Sequence, residues 1–238
     1  MIEIDSVPSS ASIREDIARS GDDVLLAFSR GKDSIALWLS LLESGVDPDK
    51  IHPYHLYLVP GLSFVDESLA YFEDYFEKHI PQYPHVAVYR LLKNLVFQPP
   101  ENCSVIEAAQ LQEVTYLQLI SVLSEEFGLP KDTYYVEGSR ACDSPMRRIA
   151  VSKHGAVRKA GRKILGVWDW QIADVRDVIS RHGIELPVDY EMFGRSFDGL
   201  DYRFLGPLKE RFPDDYQKIL DLYPLAELEV MRYEIEAV

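Results

Sequence analysis

Two unbroken apolar runs flank a short polar stretch near the start of the chain. Val24 to Phe28 is apolar at every position, and Ile35 to Leu42 carries apolar residues on more than one face. The first run predicts a buried parallel strand. The second predicts a buried helix from about Asp33 to Glu43, stopping at Gly45. Upstream, Ile13 to Ser20 predicts a short helix, with Ser12 as its cap and Glu15 three residues on. Downstream, His52 to Val59 predicts a second strand, broken by Pro60-Gly61, and a helix capped by Ser63 runs to about His79. Val86 to Tyr89 predicts a short third strand and Gln98 to Asn102 a loop. Val114 to Phe127 predicts an amphipathic helix and Thr133 to Val136 a fourth strand. Strands alternating with helices predict an α/β fold with a doubly wound, mostly parallel sheet over residues 1–190. Residues 191–238 predict acidic helices at Leu205 to Phe212, at Asp214 to Leu222 and from Pro224, forming a helical cap packed on that sheet. Ligands of such sheets sit beyond the C-terminal strand ends. Both the turn at Ser29 and the strand end Tyr57-Leu58-Val59 fall on that edge.

An apolar fraction of 47% is enough for a full core. The sequence has no run of eighteen apolar residues, so no membrane span is expected. Met1 to Asp5 has neither a basic start nor an apolar signal core, and a cytoplasmic setting is expected. Cys103 and Cys142 are too few for a disulfide framework or a four-cysteine metal site. A net charge of −14 argues against broad, unspecific nucleic-acid binding. Its distribution changes the picture locally. Between Arg140 and Lys163 eight cations face one acid, Asp143, a net +7 that leaves −21 for the rest of the chain. Such a basic island marks where an anion is expected.

The polar stretch itself is Ser29-Arg30-Gly31-Lys32-Asp33-Ser34. Between a strand and a helix it offers free backbone N–H groups, a glycine for close approach, a lysine and small hydroxyls. These favour a phosphate. It is not a Walker A loop, because Asp33 follows the lysine. It resembles the PP-loop of the ATP pyrophosphatases, Ser-Gly-Gly-x-Asp-Ser, with Arg30 in place of the first glycine. If that position needs a positive φ, an arginine there is strained; alternatively its guanidinium serves a phosphate. The resemblance implies that the loop holds the β,γ-phosphates while ATP is cut between α and β, with Ser29, Arg30, Gly31 and Ser34 as nucleotide contacts. Lys32 and Asp33 are candidate catalytic residues, and Asp33 is a candidate Mg²⁺ ligand. In this superfamily adenine rests near the end of the second strand, which makes Tyr57, Leu58 and Val59 candidate adenine contacts.

A second strand–turn–helix stretch, Glu137 to Arg148, carries Gly138, Ser139, Arg140, Asp143, Ser144, Pro145, Arg147 and Arg148. Its arginines offer planar donors to phosphate or sulfate. It resembles the Gly-x-Arg-x-x-(Asp/Glu)-Ser-Pro-x-Arg segment of phosphoadenosine phosphosulfate (PAPS) reductases and ATP sulfurylase small subunits. Gly166 to Trp170 and Asp174-Val175 continue the likeness, with Trp168 and Trp170 read as packing. The chain is thereby identified as similar to the small PAPS-reductase-like proteins of phages and mobile elements, with an adenine nucleotide α-hydrolase-like fold. Arg140 and Arg147 join the catalytic set; Gly138, Ser139, Ser144 and Arg148 join the binding set.

The end of the chain departs from that family. No cysteine follows Cys142, whereas PAPS reductases need one in the tail. Cys142 is open to two readings, a lowered-pKa thiolate beside arginines or a packing residue. Three functions from different classes follow. One is cleavage of ATP, with Mg²⁺, to AMP and pyrophosphate to adenylate a small anionic substrate or a nucleic acid. Another is redox chemistry on a sulfonucleotide, which the missing cysteine opposes. The third is nucleotide binding for regulation without chemistry. A homo-oligomer or a partner protein is compatible with each, and a membrane is not expected.

Overall fold

A computed structural model describes residues 2–236, so the reading of Met1 lies outside the described residues. In chain order the structure runs α1 (Ser10–Ser20), β1 (Val24–Ala27), α2 (Lys32–Glu43), β2 (Ile51–Tyr57), α3 (Ser63–Phe76), β3 (Gln82–Pro84), α4 (Val86–Lys93) and α5 (Pro100–Ala108). It continues through α6 (Tyr116–Glu126), β4 (Tyr134–Glu137), α7 (Pro145–His154), β5 (Val157–Arg158), β6 (Lys163–Leu165) and α8 (Ile172–Arg181). The last helices are α9 (Asp189–Phe193), α10 (Tyr202–Arg211), α11 (Pro213–Leu222) and α12 (Glu227–Glu236).

The fold is α/β, with a six-stranded sheet in the order β3-β2-β1-β4-β6-β5. β1 pairs in parallel with β2 on one side and β4 on the other, with Val24 opposite both Ile51 and Tyr134. β4 pairs in parallel with β6, and only the hairpin pair β5–β6 is antiparallel among the described pairings. The order grows one way from β1 through β2 and β3, then the other way through β4. The adjacent strands β1 and β4 therefore flank a topological switch point, where sheets of this kind open a crevice beyond their C-terminal ends.

The chain forms two compact units, residues 1–55 with 117–186, and residues 56–116 with 187–238. This division does not coincide with the break at 190 read from the sequence. In the first unit, Leu25 and Leu26 of β1 and Ile35, Leu37 and Leu39 of α2 are fully buried. Continuous apolar runs are what strands and helices covered on both faces require. Phe28 meets Trp38 edge to face, with centroids 5.2 Å apart, an arrangement that adds roughly 0.5–1.5 kcal/mol beyond area burial. Trp168 is 1% exposed and its indole N–H donates to the Pro8 carbonyl at 2.9 Å. Asp169 accepts from the Ser10 backbone N–H at 3.0 Å and so anchors the start of α1. That helix begins earlier than its pattern predicts, with Ser9 rather than Ser12 as its cap, accepting from the Ser12 N–H.

In the second unit two expectations are corrected. Val86 to Tyr89 is helix, not strand. His85 Nδ1 accepts from the Ala87 N–H at 3.0 Å and caps α4, while the strand lies earlier, at Gln82–Pro84. Gln98 to Asn102 is a loop only at its start, because Pro99-Pro100 begins helix α5, which also carries Cys103. The 191–238 segment belongs to this unit together with residues 56–116. Asp215 of α11 is buried and accepts from Ser63 Oγ at 2.7 Å, so it closes the start of α3 in place of a cap from α3 itself. Gln98 donates to the Leu222 carbonyl at 2.8 Å, a second tie between residues 56–116 and the tail. Arg195 is paired with Asp198, and Gly194 ends α9 at φ 69°.

Candidate functional site

The two turns leave β1 and β4, the strands on either side of the switch point. After β1 the chain stays extended, with the Phe28 N–H donating to the Tyr54 carbonyl at 2.9 Å. It then turns at Arg30, which has φ 60° and is 1% exposed. The resembled glycine position does need the left-handed region, which costs an L-residue roughly 1–2 kcal/mol. Gly31 is extended (φ −73°) and caps α2 without a side-chain bond. The first N–H groups of α2 thus have no side-chain cap. Ser34 Oγ lies 3.2 Å from Ser29 Oγ and donates to the Gly31 carbonyl at 2.9 Å, which tightens the loop. Lys32 Nζ is 3.1 Å from Asp33 Oδ2.

The second turn is pressed onto the first. A Cβ at Gly138 would stand 2.6 Å from the Asp33 carbonyl oxygen and 3.0 Å from the Ser34 nitrogen, a separation side chains do not reach. Only glycine lets the strand exit of β4 pass the start of α2 here. Arg140 follows, 5% exposed. Its Nη2 donates to Asp143 Oδ1 at 2.7 Å, and its Nε stands 2.9 Å from Asp33 Oδ1 without the N–H aimed at that oxygen. Nη1 is buried and has no acceptor among the described residues. Arg147 pairs with Asp143 at 2.6 Å, and Ser144 caps α7 by accepting from the Arg147 N–H at 3.2 Å. Asp143 is the acid that orients both arginines.

The remaining candidates divide. Ser139, Arg140 and Arg147 line a pocket of about 280 Å³ together with Glu137, Arg158 and Lys163. Ser144 and Arg148 line a separate, open depression of about 540 Å³ beside Cys142 and the N-terminal residues Ile2 and Glu3. Tyr57, Leu58 and Val59 belong to the second unit. Tyr57 accepts there from the His85 N–H at 2.9 Å through its carbonyl, and burial raises its phenol above the usual range. Sequence reasoning missed Arg158 and Lys163 as site residues. They lie on a two-residue hairpin strand and its partner, and the sequence pattern shows only two more charges in a basic run.

Part of the basic island is held by partners within the protein. Arg140 and Arg147 share Asp143, Lys163 sits 2.6 Å from Glu137, and Arg162 donates to the Leu117 carbonyl at 2.9 Å and to Ser121 Oγ at 2.8 Å. Cys142 is exposed, yet its Sγ lies 3.1 Å from the Trp170 carbonyl. Desolvation raises its pKa, and the nearby Arg140 charge offsets this only in part. This direction opposes the reading of Cys142 as a lowered-pKa thiolate. Asp33 already lies between the cations Lys32 and Arg140, and no group of three metal-ligating side chains occurs among the described residues. The residues present do not fit a resident Mg²⁺ site at Asp33. No helix among the described residues is long and apolar enough to cross a membrane. No family model matches the chain, and no curated protein matches it in sequence.

Proposed function

We propose that the first unit binds ATP at the Ser29 turn and cleaves it to AMP and pyrophosphate, adenylating a second substrate. One observation carries this reading: two anion-directed turns, from the two strands flanking the switch point, are locked together through Gly138 and Arg140 at Asp33. A single cradle binds phosphate; two joined cradles hold a polyphosphate while charge moves along it. The uncapped N–H groups at the start of α2, with Ser29, Ser34 and Lys32, hold the β,γ-phosphates. Arg30 holds the loop's left-handed turn. Arg140 and Arg147 face the α-phosphate, where the attacking oxygen and the leaving pyrophosphate concentrate negative charge in the transition state.

Asp33 and Asp143 orient Arg140, so the guanidinium needs no reorganisation when that charge develops. Mg²⁺ enters with the nucleotide as its counter-ion rather than as a resident ion. The adenine nucleotide α-hydrolase-like fold and the kinship to PAPS-reductase-like proteins are part of the same proposal. It is tested by calorimetry with ATP and Mg²⁺. One site is expected, weakened at least roughly tenfold in Lys32→Ala. Undiminished affinity in that variant would remove the Ser29 turn from the nucleotide site.

A further inference from the structure

We infer that the pocket between α7 and the β5–β6 hairpin is the binding site for a small organic anion, a carboxylate on a short apolar body. On the reading proposed above, that carboxylate is the group to be adenylated.

Three observations converge on it. The first is an unmet donor. Arg140 forms one wall of the pocket and is 5% exposed, and its Nη1 has no acceptor among the described residues although the atom is buried. A buried N–H group without a partner is costly, and a ligand oxygen removes the cost. Nη2 donates to Asp143, while Nε and Nη1 have no hydrogen-bond partner among the described residues; Nε already stands 2.9 Å from Asp33, so the ligand oxygen is inferred at Nη1.

The second is the charge balance. The pocket is lined by four cations, Arg140, Arg147, Arg158 and Lys163. Asp33, Asp143 and Glu137 pair with three of them, and Asp33 also pairs with Lys32 at 3.1 Å, so five cations meet three acids and a net charge of +2 is left. The unmatched cation is Arg158, whose Nε donates only to the Gly155 carbonyl at 3.3 Å among the described residues. Arg158 lies directly opposite Lys163 across the hairpin, so both side chains emerge on one face. Like charges placed so are destabilising unless something negative joins them. Glu137 does this for Lys163 at 2.6 Å, and no acid among the described residues does it for Arg158. A bound anion offsets that surplus.

The third is the apolar part of the lining. Ala150, Val151 and Leu165 contribute surface that a bare inorganic oxyanion would leave unused. At about 280 Å³ the pocket has room for a few carbons beyond the charged head. Ser139, fixed to Glu137 Oε1 at 2.7 Å, adds a hydroxyl oxygen at the rim.

The chemistry balances. One carboxylate oxygen attacks the α-phosphorus and forms a C(=O)–O–P bond. The α,β-anhydride bond breaks, and its electron pair leaves with pyrophosphate. No proton or electron is gained or lost in the step.

Butyrate is the probe, followed by saturation-transfer NMR on the full chain without nucleotide. It should bind the parent protein. Binding should weaken roughly tenfold in Arg158→Ala, the scale of one charge-assisted contact. It should be lost in Ala150→Leu, which fills the apolar side without touching charge. Inorganic sulfate at equal concentration should not displace it. ATP affinity is titrated separately in the same three proteins. Butyrate that fails to bind the folded parent, binds both variants unchanged, or yields to sulfate would overturn the inference while leaving ATP binding intact. Butyrate binding with this variant pattern, but without ATP binding, would support the pocket and remove the nucleotide reading on which its adenylation rests.

Discussion

Arg140 stands between two carboxylates from different turns, 2.9 Å from Asp33 and 2.7 Å from Asp143. A buried guanidinium is tolerable only with such partners. Asp33→Asn keeps the shape and removes one charge, so it should destabilise the first unit by about 3 kcal/mol, the scale for breaking a buried pair. Arg140→Met alone leaves each acid one cation, Lys32 for Asp33 and Arg147 for Asp143, so its cost should be smaller. The double variant should be less destabilised than the sum of the two, by up to roughly 3 kcal/mol. Urea unfolding of the four proteins measures this. Strict additivity would mean that the two turns are not coupled through this pair.

Gly138 is where the turns touch without charge. Gly138→Ala places a Cβ 2.6 Å from the Asp33 carbonyl oxygen, so the loop or the strand exit must shift. The stability loss should be about 1–3 kcal/mol, as in overpacked sites. ATP affinity should fall at least roughly tenfold, because the phosphate cradle itself moves. A variant that melts lower yet binds ATP as the parent does would show the contact to be structural only.

Arg30 separates backbone strain from side-chain function. Arg30→Ala and Arg30→Gly both remove the buried side chain, but only glycine accepts φ 60° without penalty. The glycine variant should be the more stable of the two by about 1 kcal/mol. Equal melting curves would mean that the loop relaxes when the arginine is gone.

His85 supplies a pH dependence. Burial, with the Arg90 charge second, lowers its pKa below the ordinary 6.5. Its Nδ1 accepts the Ala87 N–H, a bond that protonation removes. The unfolded chain therefore takes up the proton first as pH falls. The stability contributed is full above about pH 6.5 and is lost as pH drops through the lower folded value. His85→Asn keeps a capping oxygen and cannot titrate. Its stability should stay flat across the interval just below pH 6.5 in which the parent's declines. Parallel declines would place the titration elsewhere.

Much of the first unit was legible because its signals are local. An apolar run, a glycine turn and a second apolar run describe β1, the Ser29 turn and α2 with little help from the rest of the chain. The second motif was legible for the same reason. Val86 to Tyr89 was not, since its valines favour strand while a histidine cap, invisible as a cap in sequence, starts a helix. β3 was hidden by its polarity and by Pro84, which edge strands accept. The role of Asp215 in closing α3 could not be read, because 152 residues separate it from Ser63. Arg158 and Lys163 become a pair only through the hairpin register, and the unmet Nη1 of Arg140 only through its burial.

Cleavage of ATP to AMP and pyrophosphate by the two joined turns is read from the reaction products. The parent protein and Arg140→Ala are incubated with α-labelled ATP and Mg²⁺, with and without butyrate, and the labelled products are separated. The parent should yield AMP and pyrophosphate. Arg140→Ala should bind ATP within roughly tenfold of the parent yet turn it over roughly a hundredfold more slowly, the scale for losing one transition-state donor. ADP and phosphate as the products, or an Arg140→Ala rate equal to the parent's, would contradict the account.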